Sequence, residues 1–307
     1  MKWNKVGLIY KPEKKNNWNS SHAYIPTPIK LNDEIIRIYV NFLDTSGISR
    51  PGFIDVLVED PKKVINISQQ PLLDIGQPGT FDDNGVACTS IVKNKDESMY
   101  MYYVGFELGI KTRYKLFSGL AISNDKGNSF KKFSTTPILD RTNNANHFRG
   151  GPFCLLENGI YKLWYCEGNE WITINEKQMP SYEIVYMESD DGINWPEVGK
   201  KIFDNKKKDE YGYGRPYILK KNDGTYRMFY SIRIKSKNKY TLGYAESTDG
   251  IKWLRLDKEL NLDKSRMFFE KNEIMYGAAI EIKNKFYLFY NGDNFGEEGI
   301  GLAILKG

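Results

Sequence analysis

Residues 187–195, with the sequence MESDDGINW, return 58 positions later as AESTDGIKW at residues 245–253. A looser copy, AISNDKGNSF, occupies residues 121–130. Self-similarity at a fixed period is typical of repeat architectures. Asp-Gly turns of this kind close β-hairpins because glycine tolerates the positive φ that the turn requires. The motif therefore predicts a hairpin of antiparallel strands that is repeated along the chain.

A short aromatic strand recurs with a similar period. Successive copies end at Tyr103, Tyr165, Tyr230 and Tyr290, with spacings of 62, 65 and 60 residues, and a weaker copy ends at Tyr39. An apolar segment, called the leading strand below, precedes each copy, at residues 25–29, 86–91, 151–155, 215–219 and 277–280. No stretch sustains a helical period. The periodicity assigns these tyrosines to the core.

The repeats fill the chain of 307 residues with five units of about 60 residues each. Four-stranded antiparallel units that repeat radially form a β-propeller. We therefore predict an all-β fold, a single five-bladed β-propeller domain that spans residues 1–307, with four strands in each blade. The alternative is a β-sandwich whose repeats are accidental.

The overall charge does not indicate a polyanionic partner. The chain has 44 Lys and Arg residues against 39 Asp and Glu, a net charge of +5, and the basic runs at residues 206–208 and 235–239 suit solvated loops. No apolar run approaches the roughly 20 residues that span a membrane, and the N-terminus lacks the apolar region of a secretory signal. The three cysteines lack CxxC spacing. We expect a cytoplasmic protein with no cofactor or bound metal and no nucleic-acid or membrane partner.

Topology predicts where a site would lie. In a four-stranded blade, the loop before the leading strand and the loop after the aromatic strand share one face. Aromatic ring faces stack on the C–H faces of pyranose rings, and charged groups hydrogen-bond to their substituents. The loops on this face favour a carbohydrate ligand, because they contain His22, Tyr24, Asp83, His147, Arg149, Glu167, Trp171, Glu210, Tyr213, Arg215, Arg233, Glu273, Tyr276 and Asn291.

The repeats resemble the five-bladed β-propeller glycosidases of glycoside hydrolase families 32, 43, 68 and 130. The resemblance rests on the SxDGxxW turns, on FDDNGV at residues 81–86, on PILDR at residues 137–141 and on YNG at residues 290–292. It covers essentially the whole chain and is closest to uncharacterised bacterial propellers associated with surface-glycan synthesis. It implies a glycosidase-like fold and a sugar substrate.

Two departures from that family concern its acidic residues. Hydrolytic members usually have an Asp-Pro type motif in the first blade, where this chain has HAYIP at residues 22–26. They often have Arg-Asp-Pro in a later blade, where this chain has RGGP at residues 149–152. Both departures argue against ordinary hydrolysis.

Four acidic residues are candidates for catalysis. A glycosidase needs two carboxyl groups, one of which is held protonated by its surroundings. Asp83, Glu167, Glu210 and Glu273 could supply such a pair, and we expect Asp83 and Glu273 to form it. Asp82 and Asp83 face opposite sides of an extended segment, so either could enter the site, or both could bind turn amides.

The arginines and histidines indicate the substrate class. Convergence of Arg149, Arg215 and Arg233 would favour an anionic ligand, such as a uronic or nonulosonic acid or a sugar phosphate. His22 and His147 are the two histidines of the chain. Both fall on the predicted face, where they could bind substrate, act as acid or base, or ligate a metal.

Three functions follow from these residues. The leading hypothesis is a carbohydrate-active propeller that binds a sugar, glycan or nucleotide sugar and acts on a glycosidic bond. The second is a non-catalytic sugar-binding or scaffold protein in surface-polysaccharide biosynthesis. The third is a metal-assisted sugar lyase or isomerase that uses the two histidines and nearby acids.

Overall fold

A computed structural model describes residues 1–13, 17–203, 206–262 and 267–306. These ranges contain twenty β-strands and one short helical turn, and no helix in them is long and apolar enough to cross a membrane. The strands are β1 (Trp3–Tyr10), β2 (Ser21–Lys30), β3 (Ile35–Leu43), β4 (Ser49–Leu57), β5 (Val64–Ile67), β6 (Val86–Lys93), β7 (Met99–Leu108), β8 (Tyr114–Ser123), β9 (Lys131–Lys132), β10 (Phe148–Glu157), β11 (Ile160–Ile174), β12 (Lys177–Ser189), β13 (Lys200–Lys201), β14 (Glu210–Lys220), β15 (Tyr226–Ile234), β16 (Lys239–Ser247), β17 (Leu254–Arg255), β18 (Met275–Ile282), β19 (Lys285–Asn291) and β20 (Ile300–Leu305), and the turn is α1 (Asp293–Gly296).

The strands form groups of four. Three separate sheets have the orders β2-β3-β4-β5, β14-β15-β16-β17 and β1-β20-β19-β18. The strands β6 to β13 form two further groups, which a short parallel pairing of β8 with β10 joins into one sheet. In each group the leading strand pairs with the aromatic strand, and four-stranded antiparallel organisation is thereby confirmed.

The last group differs from the predicted order of four consecutive strands. Only β18, β19 and β20 come from the end of the chain, and the N-terminal strand β1 pairs with β20 as the fourth strand, with Trp3 opposite Leu305. The Trp3 indole N–H also donates to the carbonyl of Leu260 at 2.7 Å. The pairing covers the backbone groups that β20 would otherwise expose at a sheet edge.

Two compact units make up the chain. The first contains residues 1–71, 217–231 and 239–307, and the second contains residues 72–216 and 232–238. The tyrosines that end the aromatic strands are fully buried in both, as the periodicity predicted. The central strands are covered on both faces, so their sequences are nearly continuous apolar runs rather than strict alternations.

A buried polar network accompanies each of these tyrosines, and we call it the Tyr–acid–cation network. The Tyr103 hydroxyl donates to Asp82 Oδ2 at 2.9 Å, and Lys132 Nζ lies 2.6 Å from the same oxygen. The sets with the same tyrosine–acid bond are Tyr165, Glu167 and Arg149, and Tyr230, Asp257 and Arg255. Buried ion pairs accompany the other two tyrosines: Lys5 with Glu270 near Tyr290, and Arg37 with Asp55 near Tyr39. Buried hydroxyls and charges of this kind require such partners.

The Ser-x-Asp-Gly turns are held by their own side chains. Ser189 Oγ donates to Asp191 Oδ1 at 2.9 Å and accepts the Gly192 N–H at 3.0 Å, while Gly192 takes a φ of 71°. The following Trp195 packs on the Tyr102 ring with centroids 6.3 Å apart. Trp195 therefore belongs to the packing between neighbouring repeats.

Candidate functional site

The leading strands share a strained position. Ile25 (φ 53°) in β2, Arg215 (φ 40°) in β14 and Tyr276 (φ 54°) in β18 have left-handed backbones, and Gly151 (φ 64°) holds the matching place in β10. The pairing register of β2, β10 and β18 shifts at these residues. A left-handed conformation costs a non-glycine residue about 1–2 kcal/mol. Because such strain concentrates at ligand sites, these positions indicate a candidate site region in each unit.

In the first unit, Glu273 and His22 bind the same peptide segment. The Glu273 carboxylate accepts the Tyr240 N–H at 3.0 Å and a backbone hydrogen bond from Asn294. The His22 imidazole hydrogen-bonds to the backbone of Asn294, and its Nδ1 lies 3.0 Å from Ser21 Oγ. The Glu273–His22 cluster is defined here as His22, Tyr240, Glu273, Tyr276, Asn294 and Phe295.

The surroundings shift both titratable groups of this cluster. Burial raises the pKa of Glu273, against the opposing hydrogen bonds from Tyr240 and Asn294. Burial lowers the pKa of His22, although the charge of Glu297 and the bond to Asn294 oppose that shift. Burial thus disfavours the charged form of each group relative to water, and these are the directions that suit a general acid and a general base.

Three aromatic rings pack together in this cluster, and the backbone N–H of one of these residues, Tyr240, donates to Glu273. The Tyr240 ring centroid is 5.9 Å from that of Tyr276 and 5.8 Å from that of Phe295, the latter in a T-shaped contact at 75°. Phe295 is 48% exposed. An acid among accessible aromatic rings matches the chemistry that sugar binding and glycosidic-bond protonation require.

In the second unit, two of the three predicted arginines approach Cys166. Arg233 lies between the rings of Tyr211 and Tyr182, 4.6 and 5.1 Å from their centroids, and its charge acts on Cys166. The backbone of Arg215 hydrogen-bonds to the Cys166 thiol. Both side chains are at least nine-tenths buried.

Arg149 takes a different direction from these two. Its Nη1 donates to the carbonyl of Asp140 at 3.0 Å, and its Nε lies 3.8 Å from Glu167 Oε2. Its guanidinium also lies 5.4 Å from the centroid of the Tyr165 ring. Arg149 is therefore part of a Tyr–acid–cation network, and its contacts do not bring it to Arg215 or Arg233.

The two aspartates of the FDDNGV segment make different contacts. Asp82 is buried in the Tyr–acid–cation network described above. Asp83 Oδ2 accepts the Gly79 N–H at 2.8 Å, and its other oxygen accepts the Asn84 amide. Asp83 thus binds the turn, while Asp82 turns to Tyr103 and Lys132.

Glu167 and Glu210 accept hydrogen bonds from tyrosines. Glu167 Oε2 accepts the Tyr165 hydroxyl at 2.5 Å. Glu210 is buried, and its Oε2 accepts the Tyr213 hydroxyl at 2.8 Å and the Lys207 N–H at 3.0 Å. Either carboxylate could act as a base only after it released these hydrogen-bond donors.

His147 and Trp171 contact each other in the second unit. Their ring centroids lie 6.1 Å apart at 81°, and Trp171 also contacts Tyr114 and Phe148 at 5.9 and 5.5 Å. Both side chains are partly exposed. The structure thus brings these two predicted substrate-binding residues together, beside an aromatic cluster.

Tyr24 and Asn291 are occupied by contacts within the first unit. The buried Tyr24 hydroxyl donates to Ser49 Oγ at 2.7 Å. Asn291 Oδ1 accepts the Ile25 N–H at 2.9 Å, and Nδ2 donates to the carbonyl of Ala23 at 2.8 Å. Asn291 thereby fixes the strained residue of β2.

Sequence reasoning missed Tyr240, Asn294 and Phe295. None of them lies in a repeated motif, although Asn294 and Phe295 closely follow the YNG segment at residues 290–292. Within the described ranges, no group of three or more His, Cys, Asp or Glu side chains is arranged to hold a metal ion.

Several known proteins are similar to this chain in fold or in sequence. Residues 65–216 match the glycosyl hydrolases family 32 N-terminal domain. The structure resembles a glycosyl hydrolase from Bacteroides ovatus with a TM-score of 0.69 and 18% identity, covering 98% of this protein and 88% of that one. It resembles a thermostable family-43 glycoside hydrolase with a TM-score of 0.67 and 16% identity, covering 96% and 91%. These likenesses show that the fold is one that glycoside hydrolases also have.

A relative of similar length defines the family more narrowly. The uncharacterized protein Rv1502 of Mycobacterium tuberculosis (strain ATCC 25618 / H37Rv) is 31% identical over 306 residues, which cover all of both chains. The chain belongs to the same protein family as Rv1502.

Proposed function

We propose that this protein is a carbohydrate-active, glycosidase-like enzyme built as one five-bladed β-propeller over residues 1–307. The five groups of four strands would be the blades, and the equal spacing of the aromatic strands supports that count. The fold likeness to glycoside hydrolases over nearly the whole chain supports the propeller. Because one fold supports many reactions, the reaction itself is argued from side chains.

Glu273 is the proposed general acid, and one observation carries the proposal. Its carboxyl is partly buried, has a raised pKa and lies among aromatic rings. In this role it would protonate the glycosidic oxygen as the bond to the leaving group breaks. The His22 imidazole, whose pKa burial lowers, would supply a base in the same cluster. Asp83, Glu167 and Glu210 remain proposed second carboxylates, each of which must first release the donors described above.

Anionic sugars are the proposed substrate class. Arg215 and Arg233 supply guanidinium groups, which bind carboxylate and phosphate oxygens through paired hydrogen bonds. Tyr211, Tyr213, His147 and Trp171 are proposed to contact sugar rings in the second unit. The three cysteines are buried thiols, which suits a reducing compartment, so we propose the cytoplasm. The resemblance to propellers of surface-glycan synthesis supports a role in polysaccharide biosynthesis.

A second candidate function is non-catalytic sugar binding. Ile25 and Gly151 are left-handed residues directly before a proline. The hydrolytic members of the glycosidase families that this chain resembles carry acidic residues in these two segments. A binding protein would retain the aromatic and arginine residues and would leave its ligand unchanged.

The general-acid role is tested with Glu273→Gln and pairs of glycosides that share one sugar. A dinitrophenyl leaving group departs without protonation, whereas a methyl leaving group requires an acid. We expect the variant to lose about 10²- to 10⁴-fold in turnover of the methyl glycoside, the range for general acid catalysis, and far less with the dinitrophenyl glycoside. Glu281→Gln is the matched control, because Glu281 is exposed on the same strand, β18.

Other outcomes are equally informative. Equal losses on both glycosides would remove Glu273 from proton donation, and full turnover by Glu273→Gln would refute the assignment. Saturable binding of a glycoside that wild-type protein leaves intact would establish the second candidate instead.

A further inference from the structure

The segment after β19 presents an exposed aromatic ring on a strained backbone. Asn294 (φ 54°, ψ 44°) and Phe295 (φ 58°, ψ 29°) are consecutive left-handed residues in α1. That conformation is costly for non-glycine residues and persists only where surrounding structure imposes it. Phe295 is nevertheless 48% exposed, so its own burial does not compensate for the strain.

Hydrogen bonds on both sides hold this segment in place. Asp293 Oδ1 accepts the N–H groups of Asn272 and Glu273 at 2.8 and 2.9 Å. After the strained pair, Gly296 takes a φ of 81°, and a Cβ at this position would lie 2.3 Å from Asn291 Nδ2. The position of the Phe295 ring is therefore set in advance, which reduces the entropy lost when a ligand binds.

The same segment connects the ring to the proposed acid. Asn294 hydrogen-bonds through its backbone to Glu273, and Asp293 binds the Glu273 N–H. Tyr240 links them again, since its N–H donates to Glu273 and its ring contacts Phe295 at 5.8 Å. A ligand on the exposed part of Phe295 would thus lie beside the Glu273 carboxyl.

Phe133 shows that exposure alone does not produce this arrangement. It is also 48% exposed, but it lies outside the left-handed region and makes an ordinary backbone bond to Leu120. Phe133 belongs to the second unit, whereas Phe295 and Glu273 belong to the first.

We infer that Phe295, supported by Tyr240, is the stacking platform for a pyranose ring adjacent to the bond that Glu273 acts on. The inference rests on the proposed function and adds a specificity-determining residue to it. The C–H face of a pyranose stacks on the phenyl face, and the attachment of Phe295 to Glu273 through one peptide segment sets the distance between stacked ring and acid.

Saturation-transfer NMR tests the platform without requiring turnover. The probes are methyl β-D-glucopyranoside, methyl β-D-galactopyranoside and sodium D-glucuronate, and the variants are Phe295→Ala, Phe295→Tyr and Phe133→Ala. For the probe that wild type binds most tightly, Phe295→Ala should weaken affinity at least about fivefold, or about 1 kcal/mol at 1.4 kcal/mol per tenfold. Phe295→Tyr should retain affinity, and Phe133→Ala should match wild type. Thermal unfolding verifies that each variant is folded.

Three results would overturn the platform: wild-type affinity in folded Phe295→Ala, an equal loss in Phe133→Ala, or no transfer from wild type to any probe. Glu273→Gln separates this inference from the proposed function. Stacking lost in Phe295→Ala together with full turnover by Glu273→Gln would keep the platform and remove the proposed acid.

Discussion

Replacing Lys5 by methionine should destabilise the protein strongly. Lys5 Nζ lies 3.0 Å from Glu270 Oε1, and the two side chains are 8% and 0% exposed. Methionine preserves most of the apolar stem but removes the cation, so the Glu270 carboxylate loses its ion-pair partner in a buried site. Breaking a buried ion pair in this way costs about 3–5 kcal/mol.

Urea unfolding followed by circular dichroism measures the effect. The transition midpoint should fall markedly in Lys5→Met, while the slope with urea, which reports the surface exposed on unfolding, should stay the same. Lys30→Met is the matched control. Lys30 also pairs with a carboxylate, that of Asp33, but their side chains are 49% and 70% exposed, so water replaces the lost partner and the midpoint should not move.

A second substitution identifies the cause. In the Lys5→Met background, Glu270→Gln removes the uncompensated charge, so the double variant should be more stable than Lys5→Met alone. Equal small midpoint shifts for Lys5→Met and Lys30→Met would refute the reasoning. A Glu270→Gln change that simply adds further destabilisation would show that packing, rather than charge, accounts for the loss.

Two further predictions concern the turns. Burial alone would raise the pKa of Asp191, but hydrogen bonds such as that from the Asn194 N–H lower it to about 2. The ionised carboxylate therefore stabilises the folded protein fully above about pH 4, and this contribution is lost as the pH falls through about 2. Asp191→Asn should flatten the acid loss of thermal stability; an unchanged pH profile would contradict this. Gly192→Ala should lower the urea midpoint more than Gly224→Ala. Both glycines have a positive φ, but an added Cβ at residue 192 would lie 2.5 Å from Tyr102 Oη, whereas one at residue 224 would meet no atom within 4 Å. Equal midpoints would exclude that clash.

Local patterns predicted the strands well and the site in part. Because each aromatic strand and turn is encoded by a few neighbouring residues, their spacing predicted the groups of four strands that the structure contains. The same spacing placed His22, Glu273 and Tyr276 on loops, and these three are members of one cluster. It left open whether Arg149 converges with the other arginines, and in the structure Arg149 Nε lies 3.8 Å from Glu167 Oε2.

The sequence by itself determined the repeated β-strands and their buried tyrosines, since turn chemistry and side-chain alternation act over a few residues, whereas the pairing of β1 with β20 came only from the structure. Only the tertiary structure decided how buried each carboxylate is and which groups surround it, because these depend on partners that are distant in sequence. Burial raises the pKa of Glu273, against the opposing bonds from Tyr240 and Asn294. Asp82 is instead held by Lys132, fifty residues away. No local pattern encodes such pairings.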